Sequence, residues 1–203
     1  MSTRITIFEF VRNLMLRIIL AATFLLPGSQ SLLFAEDTSP KTTTVKLKAL
    51  TLNIPATWTK AKKRSSMRLA TFAIPAVEGD EDNAELAIYS FPGGGGSVGA
   101  NINRWVGQFS GKGRKKMITR GKAGEHNYYM VEVSGTYNQS VGPPIQRKTK
   151  AVEGSRMLAV ILQLDEGVYF LKLTGKDKTV KAQRQSLRES FGGTSESEEE
   201  YKS

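Results

Sequence analysis

Two neighbouring apolar segments near the C-terminal end of the chain constrain the fold most strongly. Residues 156–164 are almost continuously apolar, residues 168–173 form a second such run, and Asp165-Glu166-Gly167 lies between them. Short apolar runs bounded by turn residues are typical of strands buried on both faces, and a short polar link is typical of a β-hairpin. The sequence therefore predicts a central antiparallel pair in a sheet that is covered on both sides.

Two apolar stripes at helical spacing predict the elements that cover this sheet. The first stripe follows four consecutive glycines and comprises Val98, Ile102, Trp105, Val106 and Phe109. The second comprises Val180, Leu187 and Phe191, with Asp177 or Thr179 as the predicted N-cap and Gly192-Gly193 at the end. Each stripe has to bury its apolar side against a sheet face.

Period-two alternation predicts the remaining strands, at residues 45–54, 67–74, 86–91, 117–120 and 127–137. We interpret residues 45–54 as one strand with a register adjustment near Ala49-Leu50, followed by Trp58 as a plug over the sheet end. The order βββαββββα has too few crossovers for a parallel sheet. The predicted fold class is α+β, an antiparallel sheet of about six strands with a helix on each face, that is, an α/β/α sandwich.

The N-terminal 35 residues have the pattern of a secretory signal. Arg4, Arg12 and Arg17 precede an apolar run at residues 18–26, and the small residue Ala35 precedes acidic residues. We predict cleavage near Ala35 and export to the periplasm or beyond. The alternative is an uncleaved anchor that holds the domain at the membrane, although Pro27 and Gly28 interrupt the apolar stretch that a spanning helix needs.

The rest of the chain divides into a flexible leader at 36–44, a single α+β domain at 45–193 and a disordered acidic tail at 194–203. The tail is predicted to be disordered because it is polar and rich in glutamate. The chain contains no cysteine, which excludes disulfides, thiol catalysis and zinc-thiolate sites. Stability must therefore come from packing.

Several sequence segments resemble those of proteins with a known fold. Ile54-Pro55-x-x-Trp58, the segment from Tyr169 to Gly175, and a last helix ending at Phe191 resemble the PsbP-like sandwich. The middle of the chain, with Gly93 to Gly96 and the helix around Trp105, is similar to a family of exported bacterial proteins of unknown function. The resemblance implies a PsbP-like α/β/α sandwich and an accessory or binding role, and it supplies no catalytic residue to carry over.

The residues that could carry catalysis are few, so we predict a protein that is not an enzyme and that needs no cofactor or metal. His126 is the only histidine, and Glu125 beside it points to the opposite strand face. Asp165-Glu166 is expected in a solvated turn, and the acidic loop around Asp80 lacks the ligand order of a calcium loop. A hydrolase with an unrecognised carboxylate pair remains the alternative.

Charge is the strongest positive signal for function. The formal net charge is +10, which favours anionic partners. The run Gly93 to Gly96 lacks the motif of a phosphate-binding loop and is predicted to be a flexible connection. A dense basic cluster is the predicted anion-binding site: Lys112, Arg114, Lys115, Lys116, Arg120 and Lys122. The predicted partner is an anionic surface or envelope protein. Four further basic residues could join the cluster in binding it: Lys60, Lys62, Lys63 and Arg64. Export argues against nucleic acid, and a membrane is a partner only if the N-terminal segment stays attached.

Overall fold

An eight-stranded antiparallel sheet forms the centre of the protein, as seen in a computed structural model that describes residues 41–141, 146 and 148–202. In spatial order its strands are β10 (Glu199–Glu200), β6 (Lys115–Ala123), β7 (His126–Ser140), β8 (Thr149–Leu164), β9 (Gly167–Lys176), β5 (Ala84–Ser90), β4 (Arg68–Ile74) and β3 (Thr59–Lys60). The sheet has eight strands rather than about six because two-residue segments pair at both edges. The predicted hairpin of β8 and β9 lies at its centre.

The first predicted strand is a separate hairpin. Strands β1 (Thr42–Leu47) and β2 (Leu50–Pro55) form their own two-stranded sheet, and Lys48 has the left-handed φ of 57° that a tight turn requires. The predicted single strand with a register adjustment was therefore wrong. The leader prediction also needs correction, because residues 42–44 pair with residues 53–55.

The helices lie on opposite faces of the sheet, as predicted. Helix α1 (Val98–Val106) buries Trp105 against Phe170 of β9, with the rings at 82° and their centroids 6.1 Å apart. On the other face lie α2 (Asp177–Ala182), α3 (Arg184–Ser190) and the buried side of β2. Trp105 and Phe191 are 4% and 8% exposed, so both predicted apolar stripes are used in the core.

The last predicted helix is two short helices that meet at Gln183, and its cap differs from the prediction. Neither Asp177 nor Thr179 is the N-cap; Lys176 is, without a side-chain hydrogen bond. Instead, Asp80 from the acidic loop accepts hydrogen bonds from Thr179, from the backbone N at 2.8 Å and from Oγ1 at 2.7 Å. These bonds hold the pKa of Asp80 below its ordinary value. One residue of the acidic loop therefore satisfies a helix N-terminus.

The acidic tail is ordered, which corrects the predicted disorder of residues 194–203 as far as Lys202. Ser195–Ser197 form a 3-10 turn, and β10 pairs with β6. Glu198 accepts two hydrogen bonds from Arg188, at 2.7 and 3.0 Å. Composition alone does not reveal that the tail is ordered, because the charge of Glu198 is neutralised by Arg188 from another element.

The predicted signal sequence at 1–35 lies outside the described residues. Within the described part of the chain, no helix combines the length and the apolar character that crossing a membrane demands.

The glycine loop contains a 3-10 turn, Pro92–Gly95, which lies against β9 before α1 begins. Gly95 has a φ of 69°, and a Cβ there would lie 2.9 Å from two ring atoms of Phe170. Gly93 has a similar φ of 77° but has open space around it. Both sites therefore favour glycine by conformation, and only Gly95 does so by contact as well.

Gly95→Ala is expected to destabilise the protein more than Gly93→Ala. Left-handed strain should lower the free energy of unfolding by about 1–2 kcal/mol in either variant. The overlap with Phe170 should add about 1–3 kcal/mol in Gly95→Ala alone. Urea unfolding followed by circular dichroism measures both values, and equal losses would contradict the contact at Gly95.

Candidate anion-binding pocket

The six residues of the predicted basic cluster do not converge on one site. Arg114 donates to the backbone O atoms of Val106 and Phe109, both at 3.2 Å, and so caps the end of α1. Arg120 is paired with Glu199, and Lys115 and Lys116 are neighbours on β6 that point to opposite faces of the sheet. Lys112 and Lys122 are exposed. Anion binding by this cluster stays a prediction, because its positive charges are more dispersed over the surface than the sequence indicated.

A different cationic site lies beside α1, in a cavity of about 210 Å³. Strands β5 and β9 contribute its floor, and one side of α1 contributes its wall. The residues that line it are Tyr89, Phe91, Arg104, Trp105, Gln108, Phe170 and Lys172. Phe170 and Lys172 are two residues apart on one strand, so both side chains point to this face. We call this cavity the α1 pocket.

Lys172 is the central polar group of the α1 pocket. Its Nζ donates to Gln108 Oε1 at 2.6 Å and to Tyr137 Oη at 3.2 Å, and it lies 5.4 Å from the centre of the Tyr137 ring. Burial lowers the pKa of Lys172 to about 8, and the positive charges of Arg68 and Arg104 act in the same direction. Within residues 41–141 and 148–202, no carboxylate forms a salt bridge with it.

The surroundings of Lys172 are strongly cationic. A second cavity of about 200 Å³ adjoins the α1 pocket, shares Tyr89 and Lys172 with it, and adds Arg64, Arg68 and Glu85. Glu85 is the one carboxylate among the described residues that line the two cavities. It is already paired with Arg68 at 2.9 Å and with Arg64 at 3.2 Å. Among the described residues, neither Lys172 nor the exposed Arg104 is paired with a carboxylate, although Arg104 donates to Asn101 Oδ1.

The walls suit a flat apolar group. Phe170 contacts both Phe91 and Trp105, at centroid distances of 5.8 and 6.1 Å, and Tyr89 stacks on Phe91 at 6.0 Å. Aromatic side chains favour an offset or edge-on ring as a neighbour. Burial raises the pKa of Tyr137, so its hydroxyl stays protonated at neutral pH and can accept from Lys172 while donating elsewhere. The chemistry available is recognition of an anionic group carried on a ring.

The other residues considered from the sequence have ordinary positions. His126 begins β7, with its Nδ1 3.7 Å from Asp165, and Asp165 and Glu166 form the turn between β8 and β9. The histidine is therefore at a strand end, as expected. Arg64 lies at the second cavity with Glu85, on a different surface from the β6 lysines. In the portion of the chain that the structure describes, His, Asp and Glu side chains form no group of three that could hold a metal.

Sequence reasoning missed the α1 pocket, although one signal was present. Lys172 is a charged residue inside an otherwise apolar run that was predicted to be a central strand. A lysine in such a position has to be buried on one face or covered by something else. The partners Gln108 and Tyr137 are 64 and 35 residues away in sequence, so no local pattern connects them to it.

Comparison with known proteins gives similarities to solved structures. The cyanobacterial PsbP of Synechocystis sp. PCC 6803 is similar at 15% identity and a TM-score of 0.44, over 83% of this chain and 96% of that one. A Pseudomonas aeruginosa protein of unknown function is similar at 14% identity and a TM-score of 0.39, over 72% and 90%. No family model matches the chain. No curated protein matches it either. A PsbP protein is thus among the structures that this chain resembles, as the sequence indicated.

Proposed function

We propose that this protein is an exported, non-enzymatic binding protein whose α1 pocket holds a small anionic ligand with a flat ring. The observation that carries the proposal is Lys172, a half-buried cation that lines two adjoining cavities and donates to two neutral oxygens. Ionisable groups with shifted pKa values in a cleft are concentrated at functional sites.

The partial burial of Lys172 is hard to explain by stability alone. A buried charge without a carboxylate loses hydration that neutral hydrogen-bond acceptors replace only in part, whereas an apolar side chain of similar size loses nothing comparable. The surrounding strand shows that apolar residues suit this part of the fold, because Phe170 and Leu171 are both 2% exposed or less. A ligand anion would supply the missing negative charge.

The size and walls of the α1 pocket support a one-ring ligand. Pockets for drug-sized ligands span about 300–1,000 Å³, and this cavity of about 210 Å³ is smaller. The aromatic residues Tyr89, Trp105 and Phe170 would contact the ring, while Lys172 and Arg104 would bind the carboxylate or phosphate.

Export and the absence of catalysis are supported by other features. The N-terminal pattern, with basic residues ahead of an apolar run and a small residue before acidic ones, is that of a secretory signal. Among the described residues that line the α1 pocket there is no carboxylate, so the carboxylate pair of the hydrolase alternative is missing there.

Phenyllactate, a carboxylate on a single aromatic ring, is the probe that tests the proposal. Lys172→Met should weaken its binding roughly tenfold to a hundredfold, because a hydrogen bond to a charged group contributes about 1.5–3 kcal/mol. Isothermal titration calorimetry measures the dissociation constant, and affinity in the wild type should fall as salt rises.

Lys116→Met is the matched control, since Lys116 belongs to the basic cluster on β6 and does not line the α1 pocket. Its affinity for phenyllactate should stay within about twofold of the wild type, since exposed charges contribute little. If Lys116→Met weakens binding and Lys172→Met does not, the basic cluster is the site and the proposal for the α1 pocket is wrong.

The pKa of Lys172 predicts two opposite pH effects. Phenyllactate affinity should fall as the pH rises through about 8, because the free amine loses its positive charge. Stability should rise between about pH 8 and 10.5, because the unfolded chain, with the ordinary pKa, binds more protons there than the folded one. Urea unfolding at pH 7.5 and 9.5 should show this rise in the wild type, and Lys172→Met should lack this contribution.

A further inference from the structure

The α1 pocket and the cavity that adjoins it at Lys172 bring together a lysine, a phenol and an arginine in an arrangement suited to carbonyl chemistry. Lys172 is the one lysine among the described residues that line the α1 pocket. Its Nζ donates to Gln108, which also lines that pocket, and to Tyr137, which lines the adjoining cavity. Arg104 lines the α1 pocket on the α1 side, and Trp105 and Phe170 supply an aromatic wall. An amine, a proton donor and an anion-binding group are therefore close together.

We propose that Lys172 captures its ligand by a reversible covalent bond, its Nζ forming an imine with the ketone carbon of an aromatic 2-oxo acid. This inference rests on the proposed function, since the same pocket has to bind the ring and the carboxylate first. It gives the ligand a chemical class, a ketone flanked by a carboxylate and carried on one ring.

The step balances without an oxidant or a reductant. The lone pair of the neutral amine adds to the ketone carbon, and the carbonyl oxygen becomes a hydroxyl after taking up a proton. Loss of that hydroxyl as water, with the amine giving up its second proton, leaves a carbon–nitrogen double bond. Tyr137 Oη, 3.2 Å from Nζ, is positioned to donate a proton to the departing hydroxyl and to recover one from the nitrogen.

The charged groups around Lys172 favour the neutral amine that this step needs. Arg68 on β4 and Arg104 on α1 disfavour the protonated form, and Glu85 on β5 opposes them while it is paired with Arg68 and Arg64. Tyr89 and Tyr137 also face this region, and burial raises the pKa of Tyr137. Desolvation of a lysine in an apolar pocket is an established way to activate it as a nucleophile.

The size of the cavity and the positive charge around it favour an oxo acid over a simple aldehyde as the ligand. The cavity of about 210 Å³ has room for one ring, and Arg104 at its margin offers two parallel N–H donors to a carboxylate. An uncharged aldehyde would form no ion pair with Arg104 and would gain nothing from the surrounding positive charge.

Reductive trapping tests the inference. The purified protein is incubated at pH 8 with phenylpyruvate and sodium cyanoborohydride, and its intact mass is then measured. We expect one adduct, heavier than the protein by the mass of the keto acid less one oxygen atom. Peptide mapping should place it on Lys172, which locates the site in the wild-type protein without any variant.

Phenyllactate and two variants are the controls. Phenyllactate has a hydroxyl where phenylpyruvate has the ketone, so it should bind without forming an adduct. Lys172→Arg should form no adduct, because its guanidinium does not form an imine under these conditions. Lys116→Met, which lies outside the α1 pocket, should bind phenyllactate and be trapped as the wild type is. Circular dichroism confirms that both variants are folded.

The possible outcomes separate this inference from the proposed function. If phenyllactate binds and phenylpyruvate is not trapped, or is trapped equally on surface lysines, the imine is wrong and the binding function stands. If neither compound binds, both are wrong. Trapping on Lys172 without phenyllactate binding would support the imine and overturn noncovalent recognition of the anion.

Discussion

Replacing Glu198 with alanine is expected to lower the free energy of unfolding by about 3–5 kcal/mol, the effect of leaving one partner of a buried ion pair alone. The side chains of Glu198 and Arg188 are only 7% and 4% exposed. Glu198 accepts from Arg188 Nε at 2.7 Å and Nη2 at 3.0 Å, and also from Tyr128 Oη at 3.0 Å. The variant would leave the guanidinium of Arg188 buried without its counter-charge.

Glu199→Ala is the matched control because Glu199 is the next residue and also forms a salt bridge, with Arg120. The side chains of that pair are 62% and 55% exposed. Exposed pairs contribute about 0–1 kcal/mol, so this variant should unfold nearly as the wild type does. Urea titration followed by circular dichroism measures both, and equal effects would mean that residues 194–202 do not pack against α3.

A double variant separates the orphaned charge from the loss of packing. Arg188→Met combined with Glu198→Leu removes both charges together, and such replacements of buried pairs are often neutral or stabilising. We expect the double variant to be more stable than Glu198→Ala by about 2 kcal/mol or more. A double variant as unstable as Glu198→Ala would show that the tail matters through its contacts and not through its charge.

Phe170→Ala is expected to lower the free energy of unfolding by about 3–5 kcal/mol and to abolish phenyllactate binding. Phe170 is 2% exposed and contacts Phe91 and Trp105, so its removal takes away the centre of the aromatic wall. The α1 pocket would lose its shape as well as a direct ligand contact.

Leu171→Ala separates these two effects. Leu171 is the next residue on β9 and is fully buried, but it packs in the core on the opposite face, with α2 and α3. The free energy of unfolding of Leu171→Ala should be lower by about 2–5 kcal/mol, while its affinity for phenyllactate should be nearly unchanged. Both quantities come from urea unfolding and calorimetry on the same samples. Loss of binding in both variants would show that the pocket responds to general destabilisation rather than to the face that it occupies.

Local patterns in the sequence predicted most of the strands and both helical faces. The stripe with Trp105 is helical and buried, and the pair of apolar runs around Asp165-Glu166-Gly167 is the central hairpin. These predictions succeed because the periods of 2 and 3.6 residues follow directly from backbone geometry. Such predictions depend only on residues that are close together in the sequence.

The first hairpin shows where a local pattern is ambiguous. Alternation over residues 45–54 is equally compatible with one strand that slips its register and with two strands joined at Lys48. In both cases every second residue points to the same side. Only the packing of Leu50, Leu52 and Ile54 against the sheet determines which arm faces the core.

Charge was the least predictable property, because the meaning of a charged residue depends on its partner. The sequence by itself determined the strands, the helical stripes and an excess of positive charge. Only the tertiary structure decided that Glu198 is buried against Arg188 and that Arg114 caps a helix. It also decided that Lys172 faces a cavity in which no described lining residue is a carboxylate. Backbone periodicity acts over a few residues, whereas Coulomb and desolvation energies depend on distances between residues that are far apart in the chain.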